Sequence, residues 1–395
     1  MMNELTPTIN FEDTALAFRA KSDAQLRRAY WLFRMINSPF LAKVGPKFLN
    51  TAFRLKLPVE GLVRKTMFEV FCGGESLDET IQTSGYLSEF GVKTILDYSV
   101  EGEKTEAGFD QTCQEIVQAI QFAQRHDSVV FAACKLTGLG SFPLLEKIQR
   151  GEALTYEEKQ AYSRVRKRVE TICQAAADCD VPIFIDAEET WIQEPIDSLA
   201  EEMMAVFNVE KPVVIHTVQL YRHDRLEYLS RLIERSRDEN FILAVKLVRG
   251  AYLEKEAQRA EDMGYENPMQ PDKATSDRHY NAALKVCIEN HEHVAIYAGT
   301  HNEASSLYLT QLIDEHQIPH DHPWIWFMQL LGMSDHISFN LSHAKFNTAK
   351  YLPYGPVRSV MPYLMRRAEE NSSIAGQSSR ELDLLEREMK RRGLL

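Results

Sequence analysis

The sequence predicts an α/β fold: a closed (β/α)8 barrel of the TIM type, with a helical arm before it and its last helix lying over the barrel mouth. Three observations point there. From residue 92 onward, short β-rich runs alternate with longer amphipathic stretches. The runs are almost continuously apolar, as strands of a parallel sheet covered on both faces must be. Eight such units fit into ~270 residues, close to the usual length of a closed barrel. An open doubly wound sheet is the competing reading. It lacks support, because GLG at 138–140 is too short for a GxGxxG dinucleotide fingerprint.

Taken in order, the first ninety residues read as helices: FEDTALAFRAKSDAQLRRAYWLFRMI (11–36), FLAKVGPKFLNTAFRL (40–55) and VEGLVRKTMFEVF (59–71). Basic residues interleave there with Phe, Tyr and Trp. That pattern suits an arm packed on the barrel, or a surface resting on an anionic membrane or a partner. The strand runs follow: VKTILDYS (92–99), VVFAACKL (129–136), VPIFIDAE (181–188), VVIHTVQL (213–220), FILAVKLVRG (241–250), HVAIYAGT (293–300), WIWFMQLLG (324–332) and a weaker TAKYLPYG (348–355). Between them, EEKQAYSRVRKRVETICQAAA and RLEYLSRLIERS carry helical apolar spacing. The final stretch, SSRELDLLEREMKRRGLL, reads as one more charged helix, solvated. The expected organisation is an arm over 1–90, the barrel over 91–375 and a terminal helix over 376–395.

Hydrophobic residues make up 44% of the 395 and charged residues 26%, a globular composition. Net charge is −12, although residues 1–70 hold eleven Lys/Arg against six Asp/Glu. That acidity argues against nucleic acid as partner. Six scattered cysteines without a CxxC pair suit free thiols in a reducing compartment. The N-terminus, MMNELTPTINFEDTALAF, has no basic start, so neither a secretory signal nor a transit peptide is expected. No run of about 18 apolar residues occurs, so no transmembrane segment is expected either. The expected location is cytoplasmic, with peripheral contact at the inner membrane as one use for the basic arm.

A barrel places its chemistry at the C-terminal ends of its strands. Those ends supply Asp97, Lys135, Asp186 with Glu188, Gln219, Lys246 with Arg249, Thr300-His301-Asn302 and Gln329. Lys135, Lys246, Arg249, Arg366 and Arg367 outnumber Asp186 and Glu188, which describes an anion site. Asp186, Glu188, His216 and His301 could ligate a metal, but no HxH or HExxH spacing appears, and no metal is expected. A Schiff-base lyase would need one desolvated lysine at a strand end, and Lys135 and Lys246 both qualify. In VKLVRGAY (245–252), Gly250 and Ala251 let a ligand approach the backbone, and Tyr252 offers a flat face. THN (300–302) suits a heterocycle or a phosphate.

After the eighth run, Tyr363, Arg366, Arg367 and Glu370 share one helical stripe, at offsets 0, 3, 4 and 7. Adjacent arginines match a carboxylate or phosphate with planar, bidentate geometry. Glu370 can orient either one, and PYGP (353–356) fixes the entry to the helix. A surface ion-pair helix is the plainer alternative.

Together AACKLTGLG, FIDAEET, TVQLYRHD, VKLVRGAYLEKE, YAGTHNE, FMQLLGM and YLPYGPVRSVMPYLMRRAEENSS resemble the proline dehydrogenase (proline oxidase) family, in the family's order across 92–373. LDYSVE (96–101) and the basic N-terminus look like the single-function form similar to the mitochondrial-type enzymes. The resemblance implies a barrel holding FAD noncovalently and oxidising L-proline to 1-pyrroline-5-carboxylate, the first step of proline catabolism. Hydride would pass to flavin N5 and electrons to a membrane quinone. The product would be handed to a separate pyrroline-5-carboxylate dehydrogenase.

By position, the resemblance makes Asp186 and Lys246 catalytic. Lys135, Leu247, Tyr351, Tyr363, Arg366 and Arg367 would bind proline. Gln219, Lys246, Val248, Arg249, Gly250, Ala251, Tyr252, Ser276, Thr300, His301, Asn302 and Glu370 would line the cofactor. Two departures stand out. Lys246 then Arg249 replaces the Arg-then-Lys order of many bacterial members, and Ser276 stands where Thr is usual. Tyr351 should reject a 4-hydroxyl group, so proline is expected over hydroxyproline. A hydroxyproline oxidase of the same family, and a Schiff-base or metal-dependent barrel lyase, are the alternatives.

Overall fold

A computed structural model describes residues 9–37, 60–99, 103–373 and 377–395, with the backbone alone for Leu62, 368–373 and 377–378. The helix expected over 40–55 lies outside the described residues. Eight parallel strands close into a barrel in simple chain order: β1 (Val92–Tyr98), β2 (Val129–Cys134), β3 (Ile183–Ile185), β4 (Val214–Gln219), β5 (Leu243–Val248), β6 (Val294–Gly299), β7 (Ile325–Leu330) and β8 (Thr348–Tyr354). Each lies within its expected run. β4 and β8 are buried along their whole length, as strands covered on both faces should be. β3 is the shortest, at three residues.

Inside the bore, Phe131 of β2, Phe184 of β3 and Tyr297 of β6 meet edge to face, with ring centroids 5.2–5.5 Å apart. β6 lies across the barrel from the neighbouring pair β2 and β3, so the rings form a dry, filled layer rather than a pore.

By packing, the chain divides into two units, Met1–Glu101 with Gln329–Leu395, and Gly102–Met328. In the first unit, α1 (Thr14–Ala17) and α2 (Asp23–Ile36) replace the single helix expected over 11–36. The break has a local cause. Ser22 caps α2, its hydroxyl accepting from the Gln25 N–H while the Gln25 side chain reaches back to the Ser22 N–H. Residues Glu60–Val63, a π turn at Arg64–Phe68 and Glu69–Phe71 form the next helical run, followed by α3 (Leu77–Ser88).

The second unit holds α4 (Glu106–Ala123), α5 (Phe142–Gln149), α6 (Tyr156–Cys179), α7 (Thr190–Phe207), α8 (Arg225–Asp238), α9 (Leu253–Met263), α10 (Lys273–Ile288) and α11 (Glu303–Glu315). The first unit resumes with α12 (Asp335–His343), α13 (Met361–Ser373) and α14 (Gln377–Arg391).

α14 corrects the expectation of a solvated terminal helix. Leu384, Leu385 and Met389 are buried in one cluster with Phe33 of α2, Phe71, and Val360 and Leu364 beside or within α13. Charged residues dominate the composition of α14, but they leave one face for a core contact. Two of that face's positions, Glu381 and Glu388, are themselves buried. Glu381 accepts from the Ser334 N–H, and Glu388 accepts from Arg391 and Arg392. Among the described residues, no helix is long and apolar enough to cross a membrane.

Candidate active site

At the end of β3 the Asp186 N–H donates to the Cys134 carbonyl at 2.9 Å, so the backbone pairing carries one residue past the strand. The side chain then meets two lysines from neighbouring strand ends. Lys246 of β5 hydrogen-bonds to one carboxylate oxygen. Lys135, just after β2, lies 3.4 Å from the other. Burial pushes the Asp186 carboxyl up, but the Lys246 and Lys135 ammonium groups outweigh it and hold it below the usual carboxylate range. The Lys246 side chain is only 6% exposed. Its ammonium sits 5.3 Å from the Phe184 ring centre, a cation–π contact that offsets part of its desolvation. One buried cation, Lys246, and one half-buried cation, Lys135, around one carboxylate leave a local excess of positive charge.

Beside this cluster, Glu188 is buried and accepts the Thr137 N–H at 3.0 Å and the Thr137 hydroxyl. Burial pushes its carboxyl up to about 7 despite those donors, and the neighbouring Glu189 adds to the rise. Gln219 donates to the Glu188 carbonyl at 2.6 Å and to the Tyr221 hydroxyl at 3.0 Å. The Gln219 Oε1 is buried and has no hydrogen-bond partner among the described residues. A buried amide oxygen in that state calls for an N–H or O–H donor.

Arg249 follows β5 and is 11% exposed along its side chain. It donates to Asp277 at 2.7 Å, and to the Thr300 and Ser305 hydroxyls at 2.9 Å each. Its guanidinium carbon lies 4.1 Å from the Tyr280 ring centre. Several of its donors are therefore committed to the protein, and Arg249 braces the ends of β5 and β6 against α10 and α11. The sequence reading missed Asp277 and Ser305, whose partner is visible only once the strands are neighbours.

Around this brace, Thr300 also accepts the Asn302 N–H at 3.1 Å. Asn302 caps α11 by accepting from the Ser305 N–H, and His301 between them is half-buried. The Ser276 hydroxyl turns back to the Asp272 carbonyl at 3.2 Å. Leu247 is buried and Val248 half-buried. Gly250 has φ +89°, and a Cβ built there would meet nothing within 4 Å. Ala251 is exposed and Tyr252 half-buried. An open turn with a glycine in the left-handed region, in the same unit as an unanswered amide acceptor, fits a flat, polar ligand such as a flavin.

In the first unit, α13 carries Tyr363 and Arg367 one turn apart, both buried, with the guanidinium carbon 5.0 Å from the phenol ring centre. Arg366 is half-buried. The helix is anchored by Leu364, which is fully buried, so the two arginines stand on a fixed support. Tyr351 of β8 is buried and its carbonyl accepts the Leu331 N–H at 3.0 Å. The Glu370 side chain lies outside the described residues.

Comparison with known proteins adds an independent finding. The family profile described as Proline dehydrogenase matches residues 80–380. The carbapenem antibiotics biosynthesis protein CarD of Pectobacterium carotovorum subsp. carotovorum is 34% identical, over 84% of this chain and 86% of its own. Mitochondrial proline dehydrogenase 1 of Dictyostelium discoideum is 30% identical, over 96% of this chain and 74% of its own. Mitochondrial proline dehydrogenase 1 of Homo sapiens is 39% identical, over 60% of this chain and 40% of its own. Among solved structures, proline utilization A of Bdellovibrio bacteriovorus, inactivated by N-propargylglycine, superposes with a TM-score of 0.70 at 19% identity. That match covers 94% of this chain and 40% of the other, and it is a likeness of fold.

Proposed function

This chain belongs to the proline dehydrogenase family and is an enzyme of proline oxidation, and on that premise we propose that it works on a noncovalently held FAD. The reaction is L-proline to 1-pyrroline-5-carboxylate, with electrons leaving to a quinone. The observation that carries the reading is the Lys135–Asp186–Lys246 cluster on neighbouring strand ends, with Asp186 and Lys246 buried and Lys135 half-buried. When bound, the flavin supplies the hydride acceptor.

The protein's part is to bind, orient and set charge. Arg366 and Arg367 take the proline carboxylate in a planar fork. Tyr351, Tyr363 and Leu247 wall the ring, and fixing the carboxylate at one end orients the reacting carbon. The amine must be neutral before hydride can leave, yet free proline is a cation at neutral pH. Two lysines around one carboxylate disfavour a third cation nearby, which lowers the pKa of the bound amine. Because Asp186 already serves both lysines, its charge is not available to hold the substrate ammonium. Gln219, Arg249, Gly250, Thr300 and Asn302 are the proposed core of the cofactor site, with Val248, Ala251, Tyr252, Ser276, His301 and Glu370 around it.

The quinone would be met at a membrane surface, and the product passed to a separate pyrroline-5-carboxylate dehydrogenase. The deciding experiment is the visible spectrum of the purified protein before and after anaerobic L-proline. Flavin bands that bleach support both cofactor and substrate. Bands that persist with proline and bleach with trans-4-hydroxyproline would turn the reading to a hydroxyproline oxidase. A colourless protein that FAD cannot reconstitute would overturn it.

A further inference from the structure

We infer that Glu256 is a positioning residue: it ties the turn proposed to receive FAD, Arg249–Tyr252, to the loop that carries Asp186, so that cofactor and substrate sides are set together. The inference rests on the flavin reading above. Glu256 lies in LEKEAQRAEDM, a helix so charged that its acids should face solvent. Instead it is 0% exposed. Its two carboxylate oxygens accept the Thr190 N–H and the Thr190 hydroxyl, both at 2.7 Å.

The two ends of this contact have different duties. Glu256 sits in the first turn of α9, directly behind the open turn at Gly250. Thr190 opens α7, four residues after Asp186. One side chain therefore reaches from the β5 loop to the β3 loop, across the loop that follows β4. Two further contacts run beside it. Lys255 pairs with Glu189. The Trp191 ring holds the Lys255 ammonium at 5.6 Å and the Arg259 guanidinium at 4.3 Å. Arg259 in turn pairs with Glu146 of α5.

A carboxylate is costly to bury, so full burial with both oxygens answered by one residue marks a built contact. Burial raises the Glu256 carboxyl, and the Thr190 donors and Arg222 pull it back. Arg249 is held at the start of the turn by Asp277, Thr300 and Ser305, whereas next to it Gly250 has open space around its Cβ position and Ala251 is exposed. The other end of the turn runs into α9, which is fastened at Thr190 and so preorganises that side.

The test uses the full-length chain, freed of flavin, and reads the FAD dissociation constant by fluorescence quenching. Five proteins are compared: wild type, E256A, E256Q, T190V and E256A/T190V, each with its melting temperature. E256A and T190V should each weaken FAD binding, E256A by roughly tenfold or more. The double variant should bind no worse than E256A, since both remove one shared contact. E256Q should stay within about threefold, because its amide offers an acceptor to the Thr190 N–H and a donor to the hydroxyl. At saturating FAD, the proline KM should rise in E256A and be restored in E256Q.

Unchanged FAD affinity in folded E256A and T190V, or losses that add in the double variant, would overturn the inference. In that case proline would still bleach the wild-type flavin, and the functional reading would survive. Should E256A fail to fold, T190V against wild type decides. A wild-type chain that binds no FAD removes both readings.

Discussion

Lys246 and Asp186 show how much one residue carries. Each is the other's main neutraliser in a site floored by aromatic rings, so removing one leaves a buried charge short of a partner. Lys246→Met should cost about 3–5 kcal/mol at pH 7. The sign follows from Asp186, whose carboxyl is held below its ordinary value. The stability it contributes is complete above about pH 4 and is lost as pH falls through the lowered value. Urea melts should therefore show the gap between K246M and wild type narrowing in acid.

Glu188 runs the opposite way. Its carboxyl is raised to about 7, so between about pH 4.3 and 7 the folded state binds more protons than the unfolded one, and stability falls as pH rises. E188Q should be free of that decline. It should gain on wild type by roughly 1–3 kcal/mol between pH 5 and pH 8, and equal slopes would reject the assignment. At the proposed carboxylate clamp, R366A and R367A should each lower kcat/KM for proline at least about tenfold. Only R367A should also lower the melting temperature noticeably, because Arg367 is buried against Tyr363. A loss below tenfold in both would sink the clamp.

At the scale of elements, legibility followed burial. FILAVKLVRG announces β5 because a strand covered on both faces must be apolar at nearly every position, and its two ends are marked by a helix end and a glycine turn. The pattern of polar strand ends gave Lys135, Asp186 and Lys246, and the structure brings those three together. Two kinds of feature stayed hidden. Glu256 and Thr190 are separated by sixty-odd residues, and nothing in either segment marks a partner.

The docked face of α14 hid for another reason. Its stripe, Glu381, Leu384, Leu385, Glu388 and Met389, is buried, but two of the five positions are carboxylates that look solvated until Ser334, Arg391 and Arg392 are seen to satisfy them. The signal was available in the spacing of Leu384, Leu385 and Met389. Leu385→Ala tests the docking: a buried leucine should cost about 2–5 kcal/mol, whereas a solvated helix would move within about 0.5 kcal/mol. Chemical denaturation separates the two.

For the whole molecule, the question is which part of the chain a bound flavin would stabilise. The residues proposed to hold it, from Gln219 to Asn302, belong to the unit Gly102–Met328, while Arg366 and Arg367 belong to the other. A ligand present at a hundredfold its dissociation constant adds about 2.7 kcal/mol to whatever unfolds with its site. Unfolding entropy scales with length at about 2.1 cal/mol/K per residue. If all 395 residues melt together, FAD should raise the melting temperature by about 3 °C. If only Gly102–Met328 melts with the site, the same free energy should move that transition by about 6 °C and leave a second one in place. The barrel closes only when β1 and β8 join β2–β7, and an open barrel would expose unpaired strand edges. One transition moving by about 3 °C is therefore the expected result. Two transitions, with the larger shift confined to one, would mean that strand closure does not couple the units. No shift at any FAD concentration would count against the flavin itself.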